Sequence, residues 1–318
     1  DVSHNPLVTV ANGFFEKTPA LTNLNMKNCS FSDVPDFIGV LGTLRILRMP
    51  LCGNLVVFSL PAFQRLEFLD VSYSGNIVTF KFPDSVKRSL SNLILKGAAP
   101  HNISTEFQNF ANLTSLTLGS GSFADSRVTD GIFKGTPLKT LALYDMHISQ
   151  LPNFTGELTT SLEELTIIET SYFDTGKQQA KPGFGDLNLE GLRNLRSLTL
   201  QFGLNGNPLV IPPMKNLSHL NLEKNFIYDV HPCNGSIREL VVSHNPLKYL
   251  PKCCLEDYCD YSSYSGTPNN IENRVSVLVM NGVDTIDILR TDWQNYRALT
   301  FLSMTNANPR AVDSLQYI

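Results

Sequence analysis

A short apolar pattern, L-x-x-L-x-L with Met, Val or Ile admitted at the leucine positions, returns along the whole chain. Its copies are Leu21-Leu24-Met26, Leu44-Leu47-Met49, Leu66-Leu69-Val71, Leu90-Leu93-Leu95, Leu113-Leu116-Leu118 and Leu138-Leu141-Leu143. They continue as Leu162-Leu165-Ile167, Leu195-Leu198-Leu200, Leu217-Leu220-Leu222, Ile237-Leu240-Val242, Val275-Leu278-Met280 and Leu299-Leu302-Met304. Most first positions lie 20 to 25 residues apart. Self-similarity at that period marks a chain wound into stacked coils, one coil per copy.

The spacing says how a coil is built. Within x-L-x-L the alternation has period two, so each copy supplies a short strand with its leucines on one side. One coil cannot bury that side alone; neighbouring coils bury it together behind a parallel sheet. Three residues after the last leucine stands Asn225 in LNLEKNFI and Asn245 in LVVSHNPL. A buried Asn there can bond backbone groups that the turn leaves unpaired. Cys29 and Cys52 hold the same ladder position in consecutive coils. They read as two buried thiols in the ladder, with a disulfide across coils about 4.8 Å apart as the alternative. Ser74, Ala98, Gly121, Met146, Thr170 and Gly203 stand there in other copies, which predicts irregular turns.

The copies resemble the extracellular leucine-rich-repeat family, as in Toll-like receptors and receptor-like proteins. Ile237 to Pro251 carries the resemblance nearly residue for residue, and it covers essentially all 318 residues. It implies a β-rich α/β solenoid of about 12–13 coils, with a curved parallel β-sheet on the concave face and loops and short helices on the convex face. It also implies a binding role. Residues 1–318 read as one solenoid, with loop insertions at about 171–187 and 251–273, both polar and punctuated by Gly and Pro.

Composition narrows the partners. The net charge is −4 and no basic block tracks along the chain, which argues against nucleic acid. No apolar stretch approaches the length of a membrane span. Cys233, Cys253, Cys254 and Cys259 cluster late, and their C-x19-C-C-x4-C spacing fits no paired zinc motif. They read as two disulfides, with a metal site as the alternative. A vicinal Cys253–Cys254 bridge is strained, so each is expected to reach Cys233 or Cys259. Asn-x-Ser/Thr sequons stand at Asn28, Asn102, Asn112, Asn153, Asn216 and Asn234. Chance alone supplies about four in such a composition, so position weighs more than number: Asn112 and Asn216 directly precede the first leucine of a copy. Sequons and clustered cysteines together predict an extracellular glycoprotein.

Motifs for chemistry are missing. The sequence contains no G-x-S-x-G, H-E-x-x-H or G-x-x-x-x-G-K-[ST], and no cofactor is expected. His4 and His244 share the context SHNP and read as turn residues. The outward strand positions are Asn25, Arg48, Asp70, Ile94, Thr117, Ala142, Thr166, Thr199, Asn221, Val241, Val279 and Ser303. Two residues earlier come Phe68, Glu164, His219, Glu239 and Phe301. No cluster of Trp, Tyr and Arg stands out among them.

The termini fall in matching phase and neither carries a cap. Leu315 and Ile318 occupy leucine positions of a first half-repeat; Asp1 opens the second half, with Val2, Asn5 and Leu7 in place. Random cutting gives such a match roughly one time in 24. The expectation is therefore a unit of a fibre or tandem array, joined head to tail with its own copies. The alternative is a ligand-recognition ectodomain fragment of a receptor or adhesin, whose partner is another extracellular protein.

Overall fold

Each copy of the pattern folds as a strand, and within each of two compact units the second leucine stands beside its counterpart in the next coil. The computed structural model describes residues 1–8, 13–53, 55–74, 77, 79–97, 107–119, 133–146, 158–169, 189, 191–202, 205–206, 209–211, 214–232, 236–247, 250–251, 274–283, 293 and 296–307. The chain divides into two compact units, residues 1–148 with 152–162 and residues 149–151 with 163–318.

In the first unit the strands are Asn23–Asn25, Ile46–Arg48, Phe68–Asp70, Asn92–Lys96, Ser115–Gly119 and Thr140–Tyr144. All neighbours pair in parallel, with Leu24, Leu47, Leu69, Leu93, Leu116 and Leu141 in one row. In the second unit they are Glu164–Ile168, Ser197–Gln201, His219–Asn221, Glu239–Val241, Val277–Val279 and Phe301–Ser303, again parallel, with Leu165, Leu198, Leu220, Leu240, Leu278 and Leu302 aligned. The long spacings before Leu195 and Val275 leave this register intact. Residues 171–187 and 252–273, expected as insertions, lie outside the described residues.

From Leu24 to Met280 every position of the pattern is buried. Each fully buried leucine is worth roughly 1.5–3 kcal/mol over an exposed one, so the core repeats coil by coil. Behind the strands of the first unit, Phe58, Phe80, Phe82 and Phe110 form a run with ring centroids 5.3–6.0 Å apart. The return side of the coils is made of a 3-10 turn at Asp36–Val40 and short helices at Asp84–Ser89 and Leu158–Ser161. It also holds short parallel strand pairs, such as Val57–Ser59 with Thr79–Lys81, that the repeat pattern does not announce.

The expectation of irregular turns is met at Glu169, before Thr170, where the backbone is not left-handed, and corrected at the other described turns. Two residues after the last leucine the backbone turns left-handed at His4, Asn28, Leu51, Tyr73, Gly97 and Asp145. It does so again at Phe202, Lys224, His244, Gly282 and Asn306 in the second unit. The turn persists whether Cys, Ser or Asn follows it, because its N–H groups extend the sheet. Leu51 N donates to Ser72 O at 2.8 Å and His244 N to Asn281 O at 2.8 Å. A left-handed residue other than glycine costs roughly 1–2 kcal/mol, which the repeated bond offsets. His4 and His244 are turn residues of this kind.

The ladder position tolerates several residue types because its task is small: one donor and one acceptor. Asn245 Nδ2 donates to Leu222 O at 2.8 Å while its Oδ1 accepts from Asn225 N at 3.1 Å and Ile227 N at 3.3 Å. Asn225 Nδ2 reaches Leu200 O at 2.7 Å. Ser74 Oγ does the same with Met49 O at 2.9 Å and Cys52 N at 3.1 Å. Cys52 Sγ donates to Met26 O at 3.4 Å and Cys29 Sγ to Val2 O at 3.7 Å. Both thiols are free. Burial raises the Cys29 thiol above its ordinary range and pushes Cys52 up to about 11.

Candidate functional site

The outward face of the sheet is where a coil has sequence freedom, since its inner positions are committed to the core. In the first unit this face gathers residues that lie far apart in sequence. Register sets Ile46 beside Phe68 and Arg48 beside Asp70. Arg48 Nη1 donates to Asn23 Oδ1 at 3.3 Å, and its guanidinium lies 4.8 Å from the centre of the Phe68 ring. Arg45 grips Glu67 with both ends of its fork, Nε to Oε1 at 2.9 Å and Nη2 to Oε2 at 2.8 Å. Asp70 is held by the N–H of Ser72 at 2.9 Å and its hydroxyl at 2.6 Å.

Farther along the same face, Lys96 and Tyr144 stand on strands separated by the strand of Gly119. Because Gly119 has no side chain, the Lys96 ammonium passes over it to lie 3.7 Å from the centre of the Tyr144 ring. A Cβ on Gly119 would meet Tyr144 Cβ and Tyr144 O, each at 2.8 Å. Between the two cation–ring pairs the face carries Asn92 and Ile94, with the smaller Ser115, Thr117, Thr140 and Ala142 on the next strands. Asn92 Oδ1 is buried there and has no hydrogen-bond partner.

The second unit brings several ionisable side chains close together. Arg196 lies 3.8 Å from Glu163, His219 Nε2 lies 3.6 Å from Glu239, and Lys224 lies 3.0 Å from Glu223. Phe301 presents a ring that is 54% exposed. The sequence singled out no cluster on this face, yet in the first unit two cation–ring pairs stand on it. Pairing Arg48 with Phe68 takes strand register, and pairing Lys96 with Tyr144 takes a glycine two coils' width apart. Reading the outward columns side by side, with Gly119 noted between Lys96 and Tyr144, is the signal that could have found them.

Of the other sequence candidates, Asn28, Asn112 and Asn216 are exposed. Asn102, Asn153, Asn234, Cys233, Cys253, Cys254, Cys259, Leu315 and Ile318 lie outside the described residues. Asp1, Val2, Asn5 and Leu7 run beside the first strand, with Val2 N donating to Asn25 O at 2.9 Å. No group of His, Cys, Asp or Glu able to hold a metal ion occurs among the described residues, and no helix among them is long and apolar enough to cross a membrane.

No family model matches the chain. Human Toll-like receptor 8 is 24% identical over 258 residues, 73% of this chain. The chain spans about a quarter of that receptor's length, the match covering 24% of it. Among solved structures the TLR13–ssRNA13 complex aligns over 98% of this chain and 44% of its own, with a TM-score of 0.62 at 21% identity. An LRR protein of Leptospira interrogans aligns over 100% of this chain and 81% of its own, at 0.56 and 18%. Toll, in the Drosophila Toll–Spatzle complex, aligns over 90% of this chain and 40% of its own, at 0.55 and 14%. One of these neighbours holds RNA, so the expectation that nucleic acid is no partner gains no support from the comparisons. Coils, ladder, register and likeness agree: the chain has the leucine-rich-repeat fold, and it is similar to Toll-like receptors in both sequence and structure.

Proposed function

We propose that the chain is the recognition region of an extracellular or lumenal leucine-rich-repeat protein, without chemistry of its own, that holds a protein partner on the sheet face of its first unit. The observation that carries this reading is the pair of cation–ring contacts on one face, Arg48 on Phe68 and Lys96 on Tyr144. Rings and guanidinium groups dominate binding energy at protein interfaces when they are clustered. Holding them in place before binding reduces the rotamer entropy lost on association. Likeness to receptors, Toll among them with its partner Spatzle, supports a binding role. The six sequons and the clustering of Cys233, Cys253, Cys254 and Cys259 in sequence support the compartment. Likeness to receptors favours the ectodomain alternative over the head-to-tail fibre suggested by the uncapped termini and their matching phase.

The TLR13 complex makes single-stranded RNA the second reading. RNA bases stack on vacant ring faces, whereas here one face of Phe68 and of Tyr144 already carries a cation. That favours protein. The test immobilises the whole chain, an Arg48→Ala/Phe68→Ala variant, and a Lys81→Ala control altered on the return side. Extracellular proteins of the source tissue are passed over each. A partner retained by wild type and control, and weakened about 30-fold or more in the double variant, supports the reading, a loss near 2 kcal/mol. Equal retention by all three removes it. Binding of single-stranded RNA with a steep salt dependence replaces it.

A further inference from the structure

We propose that Asn112 and Asn216 are N-glycosylation sites that the chain can present only before its coils close. The proposal rests on the extracellular reading above. Both residues hold the same place in their coils, directly before the first leucine, and both are exposed. Each carboxamide is anchored to the preceding coil: Asn112 Nδ2 donates to Arg88 O, and Asn216 Nδ2 to Arg193 O at 2.9 Å. A carboxamide nitrogen carries two hydrogens. Glycosylation replaces one and leaves the other to donate to the carbonyl, so a modified coil can still close.

The rest of each triplet is locked. Leu113 and Leu217 are fully buried. The Thr114 hydroxyl donates to Ser91 O at 3.3 Å, and the Ser218 hydroxyl is held between Arg196 O at 3.2 Å and His219 Nδ1 at 2.8 Å. Their backbone N–H groups bond the same two carbonyls, at 3.0 Å and 2.9 Å. Ser91, Ser276 and Thr300 make the matching hydroxyl bond in their own coils, to Glu67 O at 2.9 Å, Arg238 O at 3.3 Å and Ser276 O at 3.0 Å. The sequon hydroxyls are therefore part of a second ladder, where the chain approaches its strands. An oligosaccharyltransferase must hold that hydroxyl and the neighbouring backbone itself. It can do so only by pulling a buried leucine and at least two hydrogen bonds out of the coil.

In the transfer, Asn Nδ2 attacks the anomeric carbon of a lipid-diphosphate-linked oligosaccharide. The new N–C bond forms as the C–O bond to the diphosphate breaks; one amide proton is lost and the lipid diphosphate departs. Sugar at each asparagine would crowd the side on which the chain approaches the strands of its own unit.

The experiment expresses the whole chain behind a secretion signal in a eukaryotic host. Glycans are removed enzymatically in heavy-oxygen water, and the Asn112 and Asn216 peptides are read by mass spectrometry. Label at both is the expected result, with Thr114→Ser retaining it at Asn112 and Thr114→Val abolishing it. Unglycosylated chain made in bacterial cytoplasm is then given transferase and lipid-linked donor, folded or urea-unfolded and diluted. Transfer only to the unfolded chain is expected. Unlabelled asparagines in the secreted chain, or equal transfer to the folded one, overturn the proposal. Native material retained inside the cytosol, while the secreted recombinant chain is labelled at both positions, refutes the extracellular reading alone.

Discussion

Replacing Asn245 with alanine should be among the most damaging single changes in the second unit. The side chain is 2% exposed. Its Oδ1 accepts from Asn225 N and Ile227 N, and its Nδ2 donates to Leu222 O at 2.8 Å and Val242 O at 3.0 Å. Alanine leaves two buried N–H groups without that acceptor and at least one carbonyl without that donor. An unmet buried group costs about 1–3 kcal/mol. Partial relaxation and water entry into the vacated space bring the sum to roughly 3–5 kcal/mol. At an m-value of roughly 2–3 kcal/mol/M, the urea midpoint falls by about 1–2 M. Trp293, the only tryptophan, is buried in the same unit, so its fluorescence reports this transition. Asn245→Asp should be worse than alanine near neutral pH, because it turns a second oxygen toward the Leu222 and Val242 carbonyls. Acidification, by restoring a donor, should recover part of the loss. A midpoint shift for Asn245→Ala under about 0.3 M, which is less than 1 kcal/mol at that m-value, would refute the ladder reasoning.

Four other outcomes follow from the same geometry. Ser74→Ala removes one donor and one acceptor and should cost about 1–3 kcal/mol, less than Asn245→Ala; far-UV dichroism during urea unfolding ranks the two. Gly119→Ala should destabilise the first unit by roughly 1–3 kcal/mol, because its Cβ meets the backbone as well as the side chain of Tyr144 at 2.8 Å; a variant as stable as wild type contradicts this. Leu51→Gly should stabilise slightly, by at most about 1 kcal/mol, since Leu51 is left-handed and 43% exposed; a thermal melt shows the sign. Burial holds Cys52 protonated to about 11 while the unfolded thiol ionises near 9.0. Stability present below pH 9 should therefore decline as pH rises toward 11, and Cys52→Ser should flatten that decline in urea midpoints taken at pH 8 and 10.5.

The repeat was legible because burial is periodic: one misplaced leucine opens the core of two coils, so the inner pattern has almost no freedom. The ladder was legible where it used Asn, at Asn225 and Asn245, and Cys, at Cys29 and Cys52. Ser74 was read as a gap, yet an alcohol supplies the donor and acceptor that the site requires. The left-handed turn was invisible at Leu51, Tyr73 and Phe202 because local preference runs against it and bonds to the next coil override that preference. Thr114 and Ser218 carried one sequence meaning, the sequon, and the structure gives them another as well.

The face that would bind a partner is the least legible part for the same physical reason. A coil spends its inner positions on the core, its turn on the sheet extension and its strand approach on a hydroxyl ladder. What remains free is about three outward residues per coil, and no short window of sequence holds a whole site. Arg48 meets Phe68 through register, and Lys96 meets Tyr144 through the missing side chain of Gly119. Specificity in such a fold is written across the coils. A single substitution on the face should therefore change binding without changing stability, whereas one at Gly119 should change both. Comparing Phe68→Ala with Gly119→Ala in the urea and partner-binding measurements separates a face built for recognition from one that merely closes the coil.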